Sequence, residues 1–137
     1  MAQEYRSEKL ESILRKLHLA VKGITASVIV NVDGLLVASF PPQLNEEGED
    51  ENPTSSPQVA AMAATLIGLA EQTLSRLAQG ELHRILMEGE HGLMLVYPAG
   101  KIAAIAILLD KAARLDHAFF ATRKAADEVL EVLNPQP

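Results

Sequence analysis

The sequence predicts a single-domain α+β fold, an α/β sandwich in which helices cover a sheet made from one hairpin and one three-strand meander. Three observations carry this prediction. An Asp33-Gly34 pair stands between two apolar, β-branched runs, ASVIVNV and LLVAS, that fill Ala26 to Ser39. Such a pair supplies the positive φ angles of a tight type I′ hairpin turn. One-sided helical patterns open and close the chain, and an alanine-rich helix that is apolar nearly all round stands between hairpin and meander.

In chain order, Leu10, Ile13, Leu14, Leu17, Ala20 and Val21 recur at helical spacing, with Glu8, Glu11, Arg15, Lys16 and Lys22 mostly on other faces. This predicts a helix from Ser7, as N-cap, to Lys22, with Gly23 ending it in a left-handed conformation. The hairpin follows, and its apolar residues at adjacent as well as alternate positions require cover on both sheet faces. Phe40-Pro41-Pro42 then stops the ladder. Residues 46–51, EEGEDE, repel one another and carry no apolar anchor, so about 41–55 is expected to be a mobile, solvated acidic loop. An acidic docking or cation site is the alternative, but the spacing lacks the pattern of a calcium loop.

Ser56-Pro57 is a helix start, and Gln79-Gly80 marks the stop of a helix running to about Ala78. Val59, Met62, Ala63, Leu66, Leu69 and Ala70 form the stripe expected to face the sheet. Ala60, Ala61, Ala64, Thr65, Ile67 and Gly68 form a second apolar face whose small residues admit another backbone. That face is read as a self or partner interface, since an acidic loop is a poor lid for apolar surface. Glu81–Glu88 reads as a third strand, Gly89–Gly92 as its hairpin connection, Leu93–Tyr97 as a fourth strand, Pro98-Ala99-Gly100 as a turn and Ile102–Leu109 as a fifth. Alanine-rich IAAIAILL also suits a single long helix on propensity. The period changes near Asp110, however, and a buried central strand explains the change. The last helix spans Leu115 to Leu133, before Asn134-Pro135, with its core-facing stripe at Leu115, Ala118, Phe119, Thr122, Ala125, Ala126, Val129, Leu130 and Leu133.

Composition narrows the chemistry. At 137 residues, 48% hydrophobic and 22% charged, the chain can bury a core without staples. It has no cysteine, which removes disulfides, thiolate catalysis and Cys-based metal sites and suits a reducing cytoplasm. A net charge of −6 with scattered Lys and Arg argues against nucleic acid. MAQEYRSEKLES has no apolar signal region, and Pro98, Gly100 and Lys101 break Leu93 to Leu109 into pieces far below the ~20 residues of a membrane span. His18, His83, His91 and His117 form no HxH, HExxH or i,i+4 pair, although His83 and His91 could meet across the third hairpin. No GxSxG, GxxxxGK[ST] or GxGxxG is present, so no catalytic residue, metal or cofactor is expected.

The succession of helix, two strands, helix, three strands and helix resembles the Roadblock family of dynein light chains and bacterial regulators, a profilin-like fold. The resemblance rests on Val21-Lys22-Gly23-Ile24 leading into ASVIVNVDGLLVAS, on the alanine-rich helix Val59–Leu77, and on Lys111-Ala112-Ala113-Arg114-Leu115 leading into a helix with Ala125-Ala126. It covers about 7–133. Where the family commonly has Gly after the Leu at 115, this chain has Asp116, suited to a cap or a first-turn charge.

The resemblance implies a five-stranded antiparallel sheet, with the second helix on one face and the first and last helices on the other. It implies a homodimer formed through the third strands and second helices. It also implies a non-catalytic, cytoplasmic role: the bacterial MglB type binds a small Ras-like GTPase and accelerates its GTP hydrolysis, with no arginine finger implied. The expected interface residues are Ala60, Ala61, Ala64, Thr65, Gly68 and Gln72 of the second helix, with Leu82, Arg84 and Leu86 of the third strand. A scaffold without effect on any GTPase, and a small-ligand sensory or structural domain, are the alternatives.

Overall fold

A computed structural model describes residues 2–41, 54 and 57–135. Its elements are α1 (Ala2–Ala20), β1 (Ile24–Asn31), β2 (Leu36–Phe40), α2 (Pro57–Arg76), β3 (Ile85–Glu88), β4 (Leu93–Ala99), β5 (Ala103–Leu109) and α3 (Leu115–Leu133). Among the described residues the five strands form one antiparallel sheet, in the order β2-β1-β5-β4-β3. The run IAAIAILL is therefore the central strand. It pairs on both edges, with Ala106 opposite Val28 of β1 and Val96 of β4.

Strand alternation sorts the core into two layers. Ile29, Leu95, Ile105 and Ile107 point toward α1 and α3, where Leu10, Leu14, Leu17, Ala118, Ala126 and Val129 meet them. Val28, Val30, Val96, Ala104 and Ala106 point the other way, toward Ala60 and Ala63 of α2. Ala104 and Ala106 of β5 lie on the α2 side, and Ala103 and the isoleucines on the other. Alanine facing alanine lets α2 settle close to the sheet.

Several boundaries differ from the sequence-based expectation. The first helix begins at Ala2, placing Ser7 inside it. No residue from Ala2 to Arg6 breaks a helix, and the Lys9 ammonium lies 4.5 Å from the Tyr5 ring centroid, an i,i+4 contact that supports the early turns. Asp33-Gly34 does not form a two-residue type I′ turn. Only Gly34 has positive φ, at +82°. Gly34 N–H donates to the Asn31 carbonyl at 3.0 Å and Asn31 N–H to the Leu35 carbonyl at 2.9 Å. This is a three-residue loop, a type I turn followed by a left-handed glycine. The Asn31 side chain selects it by accepting from the amides of Asp33 and Leu35, both at 3.0 Å.

At its end α2 stops at Arg76, with Ala78 rather than Gly80 in the left-handed capping position, φ +57°. Gln79 N–H donates to the Leu74 carbonyl at 2.8 Å and Ala78 N–H to that of Ser75 at 3.1 Å, the paired bonds of a Schellman cap. β3 is half its expected length because Ile85 opposite Val96 is its first paired residue, so residues 81–84 lie outside the ladder. β4 extends through Pro98 to Ala99, beyond the expected end at Tyr97. Its far end pairs with β5 alone, so the missing amide of Pro98 costs no bond toward β3. The Ser56 cap and most of the acidic loop lie outside the described residues. Thr54 is buried, contrary to a wholly solvated loop.

Candidate functional site

The expected interface residues separate once α2 is placed on the sheet. Ala60 is fully buried, and with Ala63 and Ile67 it packs on the sheet. It therefore acts as a spacer beneath α2, and Ile67, expected on the outer face, joins it. Met62 and Leu69, expected to face the sheet, point outward at 61% and 57% exposure. Ala61, Thr65, Gly68 and Gln72 are exposed. The Thr65 hydroxyl donates to the Ala61 carbonyl at 2.9 Å, which leaves its methyl group to extend the apolar surface.

Ala64 and Gly68 line a cleft between α2 and the sheet, with Val30, Val32, Pro98 and Lys101. Its volume is about 150 Å³, below the ~300–1,000 Å³ of ordinary ligand pockets. Gln72 and Leu82 line an adjoining open groove of about 1070 Å³, with Glu71, Arg76, Glu81 and Lys101. Charges of both signs lie along it. This groove brings the second half of α2 and the approach to β3 to one side of the molecule.

β3 is an edge strand with one partner, and Leu86 and Met87 are 40% and 36% exposed on it. Met87 stands opposite Met94 in the ladder, and both line an open surface with Leu108 and His91. α2 lies mainly over β1 and β5, Val96, Ile85 and Met94 pack against its buried cluster, and Met87 at the outer edge of that face stays exposed. Arg84 is turned elsewhere, its guanidinium carbon 4.1 Å from the Phe119 ring centroid on the α3 side. Outward-facing Met62 and Leu69 and the sheet residues Met87 and Met94 are functional-surface candidates that sequence reasoning missed. The available signal was the small-large alternation in AAIAILL, which shows that the face packed against an alanine-rich helix is itself small.

No group of three or more His, Asp or Glu residues gathers among the described residues. His83 precedes β3 and His91 sits in the β3–β4 connection, both exposed. His18 is the histidine held by the fold. Its Nε2 lies 2.9 Å from the Ser27 hydroxyl, which donates onward to the Phe40 carbonyl at 3.4 Å. The ring meets Phe40 edge-on at 4.7 Å. Burial lowers its pKa below the ordinary 6.5. Asp116 lies in the first turn of α3, and Arg114 Nη2 donates to its Oδ2 at 2.9 Å. That bond holds the Asp116 carboxyl below its ordinary range. Among the described residues no helix is long and apolar enough to cross a membrane.

Together, an antiparallel sheet of this order, one helix on one face and two on the other, and an open edge beside an exposed apolar helix define a three-layer α+β domain. The chain belongs to the Roadblock/LC7 family, whose domain model matches residues 11–109. It is 31% identical over 121 residues to the uncharacterized protein MJ0310 of Methanocaldococcus jannaschii, covering 88% of this chain and 96% of that one. The fold is similar to the Roadblock/LC7 domain from Streptomyces avermitilis, with a TM-score of 0.75 at 23% identity over 89% of this chain and 95% of the other. It is also similar to Myxococcus xanthus MglB, with a TM-score of 0.76 at 15% identity over 92% and 88%.

Proposed function

We propose that the protein is a non-catalytic, cytoplasmic homodimer that binds a small Ras-like GTPase and modulates its GTP hydrolysis or its localisation. The observation that carries this reading is the exposed apolar side of α2, Met62 and Leu69, together with the exposed Met87 and the unpaired edge of β3. A second copy would complete the edge by strand pairing and would cover the apolar surface with its own α2. Ala61, Thr65, Gly68, Gln72 and Leu82 belong to that self or partner surface and Ala60 supports it from beneath, whereas Leu86, opposite Leu95, faces the α3 side and would take part only through the backbone of the strand edge. Membership in the Roadblock/LC7 family and likeness to MglB in fold support the reading. The GTPase would supply its own catalytic residues, and the platform would fix its mobile switch segments in a reactive arrangement.

The test has two stages. Light-scattering chromatography should return twice the chain mass, and Leu69→Arg should return a folded single chain. Ras-like GTPases from the same genome, loaded with GTP, should then bind the wild-type protein and hydrolyse at an altered single-turnover rate. A monomeric wild type would remove the interface, and unchanged hydrolysis alongside measured binding would reduce the role to that of a scaffold.

A further inference from the structure

The surface opposite α2 carries a feature that dimerisation through α2 and β3 leaves free. α1 and α3 pack side by side on that face, and a groove of about 370 Å³ runs between their outer sides. Its floor is apolar: Ile13, Leu17 and Ala20 from α1, Ala121 and Ala125 from α3. Phe120 stands at its lip, 75% exposed, while its neighbour Phe119 packs on the core. Largely exposed aromatic surface beside an apolar trough is a candidate contact site.

The rim distinguishes the occupant. Lys16 stands on the α1 side and Lys124 on the α3 side, with His117 at one end and Glu128 as the acidic member. Near the His117 end, Arg114 and Asp116 neutralise each other at 2.9 Å. The groove is thus edged by lysines on a chain whose net charge is −6. The α3 residues lining it run from His117 to Glu128, about 16 Å of helix axis or three turns. A trough between two helices presents rows of side chains three and four residues apart, into which the ridge of a third helix fits.

We infer that the α1–α3 groove is a docking site for an amphipathic helix of about three turns, with large apolar residues on one face and acidic residues flanking them. This site is independent of the GTPase reading and lies on the other face of the sheet. Phe120, Ala20 and Ala121 receive the apolar face over a buried floor that includes Ile13 and Leu17, and Lys16 and Lys124 select the acidic flanks.

Fluorescence anisotropy on the full-length protein tests it with two labelled helical peptides of about fourteen residues. They share a Leu/Phe face, one flanked by glutamates and the other by lysines. The glutamate peptide should bind on the order of tenfold more tightly. Phe120→Ala should abolish binding, and Lys16→Glu with Lys124→Glu should reverse the preference while circular dichroism stays native. Amide shifts should map to α1 and α3. Absent binding, equal affinity for both peptides, indifference to Phe120→Ala, or shifts confined to α2 and β3 would each overturn the site. So would a fall in assembly mass on Phe120→Glu, which would assign the groove to a second copy.

Discussion

Ala78 sits where a glycine would serve better. The Schellman cap of α2 needs a left-handed residue, and Ala78 holds φ at +57° with a Cβ that disfavours it. Ala78→Gly should stabilise the fold by about 0.5–1 kcal/mol, read as a higher denaturation midpoint. Gly34 is the reverse case. At φ +82° its Cβ position lies 3.0 Å from the Ala61 backbone, so the β1–β2 turn touches α2 through it. Gly34→Ala should cost about 1–3 kcal/mol, again by denaturant midpoint. His18 sets a pH dependence. Its pKa is depressed in the folded state, so the unfolded chain takes up the proton first as pH falls. Its stabilising contribution is complete above the unfolded value of ~6.5 and is lost as pH falls toward the lower folded value. His18→Gln should flatten that part of the profile, whereas an unchanged slope from about pH 7 to pH 5 would assign it to other groups.

At the scale of elements, α2 decides what could be read from the sequence. In α3 the pattern was one-sided, and both its extent and its buried face were legible: Ala118, Thr122, Ala125, Ala126 and Val129 are all buried. In α2 apolar residues surround the axis, so periodicity offers no inner face. The choice depends on β5, which presents Ala104 and Ala106 to it. Long side chains such as Met62 and Leu69 are consequently displaced outward, opposite to the expected assignment. The shortening of β3 was likewise invisible locally, because ELHRILME carries strand-forming residues whose pairing depends on where the partner strand turns. Gly68 offers a direct test of this surface. A Cβ there meets nothing within 4 Å, so Gly68→Arg breaks no packing within the chain. Dissociation of the dimer with a native spectrum is the expected outcome, and an unchanged mass would take Gly68 out of the contact.

For the whole molecule, the sheet separates two surfaces with different chemistry. The α1–α3 side holds the larger core and a lysine-edged groove; the α2 side holds a thin alanine layer, exposed methionine and leucine, and an open strand edge. In the proposed platform role this division lets a rigid core hold the apolar side of α2 in place without burying it. The chain order and sheet were legible because turn residues and the change of period near Asp110 marked them. The exposed apolar side of α2 was legible only as an excess of apolar residues, since exposure is a property of packing. The most direct measurement of the central proposal is binding of GTP-loaded Ras-like proteins from the same genome to the wild-type chain and to Leu69→Arg. Association with the wild type, weakened by at least about tenfold in the folded variant, is the predicted result; no association with any of these GTPases, or equal association with both chains, would contradict it.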